Sequence, residues 1–259
     1  MNIIVCYKPT PDASDIVVRA DGSISVERAE WILSPFDLQA VEAGMRLAEA
    51  AGGKVMALSV GPRQISNSKL KKDMLSRGPD ELYLVVDDAL AGADTAVTAR
   101  VLTQAVRKMG SFDLILFGEG SADLYFQQVG LQVGELLCIP TLNAISKIDL
   151  EDGRLVVERS LEDEIEVLET SMPAALSVTT DIALPRLPSL KEILKASKKP
   201  VTEWTLTDID VQGGTVKAHS EIVAVQAPPH VERKKVVLEG KPAEAVQSLV
   251  DALQKEGIL

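Results

Sequence analysis

The sequence predicts an α/β protein: a doubly wound, mostly parallel sheet with additional short strands and a C-terminal arm. Three features carry that expectation. Short continuous apolar runs recur at 2–7, 54–59, 81–86 and 113–117, the pattern of strands buried on both faces. Amphipathic helical stretches separate them, and repeated strand–helix alternation implies parallel strands covered by helices on both sides. After Pro140 the alternation gives way to consecutive strand-like segments.

The first run, 2–7 (NIIVCY), is closed by Lys8-Pro9-Thr10-Pro11. Residues 15–18 and 23–26 flank Ala20-Asp21-Gly22, which fits a small surface hairpin. Ser34-Pro35-Phe36-Asp37 then opens a helix, since Ser34 can cap it and Pro35 suits its first turn. Leu38, Val41, Met45 and Ala48 line one face of that helix, which stops at Gly52-Gly53. Run 54–59 (KVMALS) is the second strand, ended by Val60-Gly61-Pro62. A helix over about 66–75 carries Lys69, Lys71 and Lys72, which read as a solvated basic face. Run 81–86 is the third strand. Residues 94–109 form an amphipathic helix, with Val97, Val101 and Ala105 on one row and Thr98, Leu102 and Val106 on the next.

The chain is organised around 112–134, FDLILFGEGSADLYFQQVGLQVG. It reads as a buried strand (113–117), a turn through Gly118, Glu119, Gly120 and Ser121, and a helix entered at about Ala122. Free N–H groups at a helix start, with glycines before them, form an anion site. Asp123 and Gln128 place polar groups at its mouth, and Gly130 and Gly134 let the helix lie close to the sheet. Spacing alone leaves two readings open: a phosphate cradle for an adenine nucleotide, or an ordinary strand–helix turn that needs glycine for its geometry. In the cradle, Gly120 is expected to be the least replaceable residue, because a Cβ would fill space the phosphate or the turn requires. Ligands of parallel sheets sit beyond the carboxyl ends of the strands, here 6–8, 59–61 and 117–121, and the helix start at 34–37 can reach the same rim.

Beyond Pro140, residues 143–150, Arg154–Ser160, Ile165–Thr170 and 174–179 read as short strands. They are joined by Asp152-Gly153 and by Glu162-Asp163-Glu164, which reads as a solvated turn rather than an acid–base pair. Pro185-Arg186-Leu187-Pro188 precedes a short helix, Leu190–Ala196, followed by Lys198 and Lys199. Periodicity then weakens as far as Pro228-Pro229, an extended connector. A last helix, 243–254, sets Val246, Leu249, Val250 and Leu253 on one side with no local partner.

With 259 residues, 46% of them hydrophobic, the chain can build one large domain with an appendage. A net charge of -11 argues against a nucleic-acid or anionic-membrane partner, which would repel it. No apolar run reaches the roughly 18 residues of a membrane span, and the N-terminus lacks a signal-peptide layout, so a cytoplasmic protein is expected. Cys6 and Cys138 form no CxxC pair, and with only His219 and His230 beside them no metal centre and no catalytic side chain are expected from this chain. Redox chemistry would need an organic cofactor or a partner.

Residues 157–177, VERSLEDEIEVLETSMPAALS, resemble the signature of the electron-transfer flavoprotein beta subunit: Arg159, Glu162-Asp163-Glu164, Glu166, Leu168 and Pro173 stand at the family's spacing. Ala175 replaces the larger aliphatic usual there. Ser34-Pro35-Phe36-Asp37, LSVG at 58–61, Asp181-Ile182 and Pro185-Arg186 also correspond, and GEGSADLYFQQVG is similar to the FixA-type branch. The resemblance runs from Asn2 to the C-terminus. It implies a heterodimer with an alpha subunit that carries its own flavin, while this chain holds FAD or, as the alternative occupant, AMP. The implied nucleotide site uses Cys6, Ser34, Pro35, Phe36, Asp37 and Val60, and from the organising stretch Gly118, Glu119, Gly120, Ser121, Ala122, Asp123, Gln127, Gln128 and Val129. Leu124-Tyr125-Phe126 replaces the commoner Gly-Asp-Thr-like loop, which leaves FAD and AMP both open; the FixA-type branch shares the departure, and that branch favours FAD. Leu190, with Leu194 one helical turn on, falls where the family docks dehydrogenases. NADH as donor, a dehydrogenase or quinone-reductase-type acceptor, a ferredoxin or flavodoxin, and electron bifurcation are further implications.

The fold so implied is of the adenine-nucleotide-binding type shared with universal-stress and ATP-pyrophosphatase proteins. The expected organisation is an α/β nucleotide-binding domain at 1–184, a partner-docking helix and connector at 185–227, and an arm packing on the alpha subunit at 228–259. The rival reading is a universal-stress-type ATP/AMP-binding regulatory module. Its phosphate loop, Gly-x-x-Gly-x9-Gly-Ser/Thr, fits poorly, because Gly118-Glu119-Gly120 is one residue short and Leu131 follows Gly130. The Ser-Gly-Gly-x-Asp-Ser loop of ATP-pyrophosphatases is replaced by Lys8-Pro9-Thr10.

Overall fold

The computed structural model describes the whole chain except residues 212–215, 230–232 and 234, so His230 and parts of the connector and arm lie outside the described residues. The chain opens with β1 (Asn2–Cys6), β2 (Pro9–Pro11) and a hairpin of β3 (Val17–Val18) and β4 (Ile24–Ser25). β5 (Trp31–Leu33) pairs antiparallel with β2 and delivers the chain to α1 (Pro35–Ala51). Strands and helices then alternate: β6 (Lys54–Gly61), α2 (Ser68–Ser76), β7 (Glu81–Val86), α3 (Thr95–Met109), β8 (Leu114–Gly118) and α4 (Val129–Leu137). There follow β9 (Thr141–Glu151), β10 (Arg154–Ser160), β11 (Ile165–Thr170), β12 (Ala174–Val178), α5 (Leu190–Ala196), β13 (Val201–Trp204) and α6 (Pro242–Lys255).

Nine strands form one sheet in the order β11-β10-β9-β12-β8-β1-β6-β7-β13. From β9 to β13 every neighbouring pair is parallel, and only the outer hairpin strands β10 and β11 pair antiparallel. The apolar runs make the buried centre: Ile3, Ile4, Val5, Leu114, Ile115 and Leu116 are wholly enclosed. Alternate residues of each strand feed two cores. Ile3, Val5 and Leu116 pack with Val41 of α1 and Met74 of α2 on one face. Ile4, Ile115 and Phe117 pack with Val101 of α3 and Val133 of α4 on the other. The sheet is doubly wound, as the alternation predicts.

Two differences from the sequence reading have simple causes. β13 stands at the start of the stretch where periodicity weakens, yet it extends the main sheet by pairing with β7. As an edge strand of only four residues, it carries too short a pattern to read. Helix α5 just before it is flanked by ties to the sheet domain: Arg186 bridges Glu42 and Glu49 of α1, and Lys199 Nζ donates to the carbonyls of Leu75, Gly78 and Pro79 at the end of α2. Beyond β13, Leu206, Ile209 and Val216 pack into the second core, and further contacts tie the described residues to the domain. Asp94, the cap of α3, accepts the N–H groups of His219 and Ser220, and Ala227 N–H donates to Gly22 O of the hairpin. α6 buries no residue in this chain. No helix among the described residues is long and apolar enough to cross a membrane.

Candidate functional site

The order of winding reverses at β1: the chain moves from β1 through α1 to β6 on one side, and returns to β8 on the other. The rim above the carboxyl ends of β1 and β8 is the usual ligand position in such sheets. Three segments meet at it: Lys8 after β1, the entry to α1 at 34–37, and the loop 119–128 between β8 and α4.

Asp37 ties these segments together. It stands in the first turn of α1, where a carboxylate suits the helix dipole, and is almost fully buried. Its Oδ2 accepts the backbone N–H of Lys8 at 2.8 Å, and its carboxylate also accepts that of Gly118. Ser34 N–H donates to Lys8 O at 3.0 Å, closing the same knot from the helix side. Gly118 is needed for it. A Cβ there would stand 2.7 Å from Asp37 Oδ1 and from the backbone C and O of Phe36.

Burial pushes the Asp37 carboxyl up to about 7, against the lowering effect of the Lys8 and Gly118 N–H groups and the Lys8 charge. The folded chain therefore keeps this proton up to about pH 7, whereas the unfolded chain releases it near 3.8. Between those values the folded state binds more protons, so the contribution of this group to stability falls as pH rises through that window and levels off above it. Asp37→Asn, which cannot ionise, should remove that slope from urea midpoints measured between pH 4 and 8. A slope that survives unchanged would belong to another group.

Lys8 Nζ donates to Asp123 Oδ2 at 2.5 Å, joining the loop after β1 to the loop after β8. Burial tends to raise the Asp123 carboxyl, but the Lys8 ammonium and the Ser121 hydroxyl outweigh it and hold the group below the usual range. Asp123 Oδ1 also accepts Leu124 N–H at 2.9 Å. It braces the loop rather than capping a helix.

The helix expected from Ala122 begins at Val129 instead. Tyr125 N–H donates to Ser121 O, giving one turn, and the chain then takes left-handed backbone angles at Tyr125 (φ 51°) and Gln127 (φ 57°), which break any helix. The N–H groups of 120–123 thus belong to a loop, and no helix macrodipole supports them. Gln128 precedes α4 but does not cap it, and its Oε1 accepts from Thr95 Oγ1 at 2.9 Å. Gly130 and Gly134 do let α4 lie on the sheet: a Cβ on Gly130 would stand 2.5 Å from Ser177 Oγ, and one on Gly134 would overlap Thr141.

Cys6 and Val60 stand at the carboxyl ends of β1 and β6, with Cys6 in register with Leu58. Burial, with the Asp37 charge second, pushes the Cys6 thiol up, so it is a neutral lining group and not a nucleophile. Under the rim, Tyr7 Oη, Thr10 Oγ1, Ser34 Oγ and Ser59 Oγ are buried without a protein partner. Such hydroxyls call for a polar ligand atom or ordered water, since each left unpaired costs about 1–3 kcal/mol. Glycines without room for a Cβ, unpaired hydroxyls and a half-exposed lysine suit a ribose phosphate. The carboxylates of Glu119 and Asp123 mean that N–H groups and Lys8 must carry its charge.

The expected residues of β1, α1 and the β8–α4 loop are thus brought to one rim. Leu190 and Leu194 stand apart on α5, 73% and 61% exposed. Sequence reasoning passed over Lys8, Thr95 and Tyr125. Lys8 could have been found as a charged residue at the carboxyl end of a buried strand. The other two act through tertiary contacts that leave no local signal. A family model described as the electron transfer flavoprotein domain matches residues 22–209, from the hairpin through β13.

Proposed function

Given that the chain belongs to the electron transfer flavoprotein family, we propose that it is the beta subunit, of the FixA-type branch, of a heterodimeric electron-transfer flavoprotein. In this reading it holds FAD, with AMP as the alternative, at the rim above the carboxyl ends of β1 and β8. The observation that carries the proposal is the convergence of Lys8, 34–37 and 118–123 at the switch point, where the resemblance sets the nucleotide. The flavin, when bound, supplies the redox chemistry, passing electrons from NADH or a dehydrogenase to downstream acceptors. Bifurcation would divide them between a high-potential acceptor and a ferredoxin or flavodoxin. The protein's own residues bind and orient: backbone N–H groups of 120–123 and the Lys8 ammonium face the phosphates, and Ser34 and Gln128 offer neutral hydrogen bonds. Cys6 and Val60 line the wall. A cytoplasmic setting suits the reduced cysteines and the acidic surface.

The test is a visible absorption spectrum of the purified chain with and without a co-expressed alpha subunit. Flavin bands that appear with the partner support the proposal. Colourless binding of ATP or AMP by the chain alone, with no stable partner, would favour a sensor.

Leu184, Leu187, Leu190 and Leu194 are all largely exposed, and Lys191, Lys195 and Lys198 surround them. An apolar anchor ringed by cations suits transient docking on an acidic surface, where charge speeds encounter and a buried leucine supplies the grip. Leu190→Ala should slow electron delivery to the dehydrogenase at least severalfold while melting temperature and cofactor content stay unchanged. Lost stability with normal partner kinetics would contradict a docking role.

A further inference from the structure

The ring of Tyr125 lies on Gly120. A Cβ built on Gly120 would stand 2.5 Å from Cδ2 of that ring and 2.8 Å from Cε2. Beside it, the Tyr125 and Phe36 rings meet with centroids 5.0 Å apart, tilted by 51°. The hydroxyl is bonded to Glu119 and Gln127 within the same loop. The backbone reaches this arrangement only by taking left-handed angles at Tyr125 and Gln127, which residues with side chains adopt at a cost. Yet Tyr125 remains 43% exposed, so burial of the ring does not by itself account for that cost.

We propose that Tyr125 is the gate of the nucleotide site: its ring occupies the phosphate seat over Gly120 and must swing away before an adenine nucleotide can bind. The inference rests on the nucleotide reading given above. A phosphate received by the N–H groups of 120–123 needs the face of Gly120 that lacks a Cβ, and the ring already covers that face. The two exclude each other. The ring can move, because its neighbours are an exposed loop and the edge of Phe36 rather than the core. Opening it takes a share of the binding free energy, so the apparent affinity is reduced by the fraction of chains with the seat open.

The chain has three tyrosines, Tyr7, Tyr83 and Tyr125, so a full-length protein labelled with 3-fluorotyrosine gives three fluorine resonances, and Tyr125→Phe assigns one of them. AMP, and separately FAD, should shift the Tyr125 resonance toward a solvent-exposed position and leave those of Tyr7 and Tyr83 in place. In calorimetry, Tyr125→Ala should bind AMP about three- to tenfold more tightly than the native chain. AMP that binds with the Tyr125 resonance unmoved would overturn the gate and spare the nucleotide site. So would weaker binding to Tyr125→Ala, which would make the ring a ligand contact. If neither AMP nor FAD binds to either protein, the nucleotide reading fails and the gate with it.

Discussion

Gly118→Val should destabilise the protein by about 3 kcal/mol or more, the upper end of overpacking effects, and lower its urea midpoint accordingly. The reason is what the new Cβ would meet. Phe36 C and O and Asp37 Oδ1 all lie 2.7 Å from its ideal position, and two of the three are backbone atoms of α1. No flexible side chain can give way there, so either β8 or the start of α1 must shift and break the Asp37 knot. Gly120→Val offers the contrast. The three atoms nearest its new Cβ all belong to the half-exposed Tyr125 ring, which can give way, so stability should change little while nucleotide binding is lost. The sequence reading makes Gly120 the least replaceable residue of the phosphate cradle; for the stability of the fold, Gly118 is the less replaceable of the two, because its nearest neighbours include backbone. Equal stability of native protein and Gly118→Val would show that the knot holds nothing.

Removal of everything after Ala227 should leave the sheet domain folded and weaken association with the alpha subunit by tenfold or more. The ties that hold the chain to the hairpin, Gln226 opposite Ser23 and Ala227 N–H to Gly22 O, survive this cut. What goes is α6, none of whose residues is buried here; Val246 is 60% and Leu249 45% exposed. Covering such side chains contributes on the order of 1.5–3 kcal/mol each before ordering costs of about 1–2 kcal/mol per residue. Several together exceed the roughly 1.4 kcal/mol that a tenfold change requires. Analytical ultracentrifugation of the co-expressed pair reads the outcome. A truncated chain that still forms a stoichiometric heterodimer would remove the arm from the interface.

The sheet was legible because its strands are buried on both faces, and burial on both faces writes continuous apolar runs into the sequence. Strands β10 and β11 begin and end where alternation and the Asp152-Gly153 turn place them. The entry to α1 was legible from Ser34-Pro35, although Ser34 makes no side-chain capping bond. The start of α4 was not legible. Residues 122–128 carry no proline to stop a helix, and the break lies in left-handed turns at Tyr125 and Gln127 that answer to a ring packed on Gly120. β13 and the Asp37 knot were hidden for a related reason: each depends on partners more than two dozen residues away. Local pattern gives elements, and the site is made by contacts between them.

The central claim is that this chain holds its own adenine nucleotide at the rim above the carboxyl ends of β1 and β8, apart from the flavin of its partner. The direct test is the nucleotide content of the purified heterodimer, released by denaturation and quantified by chromatography, for native protein and for Gly120→Val. The native complex should yield one nucleotide, FAD or AMP, beyond the flavin of the alpha subunit. The variant should retain the alpha flavin and lose the other. A native heterodimer with the alpha flavin alone, or a Gly120→Val complex that keeps both nucleotides in full, would contradict the assignment.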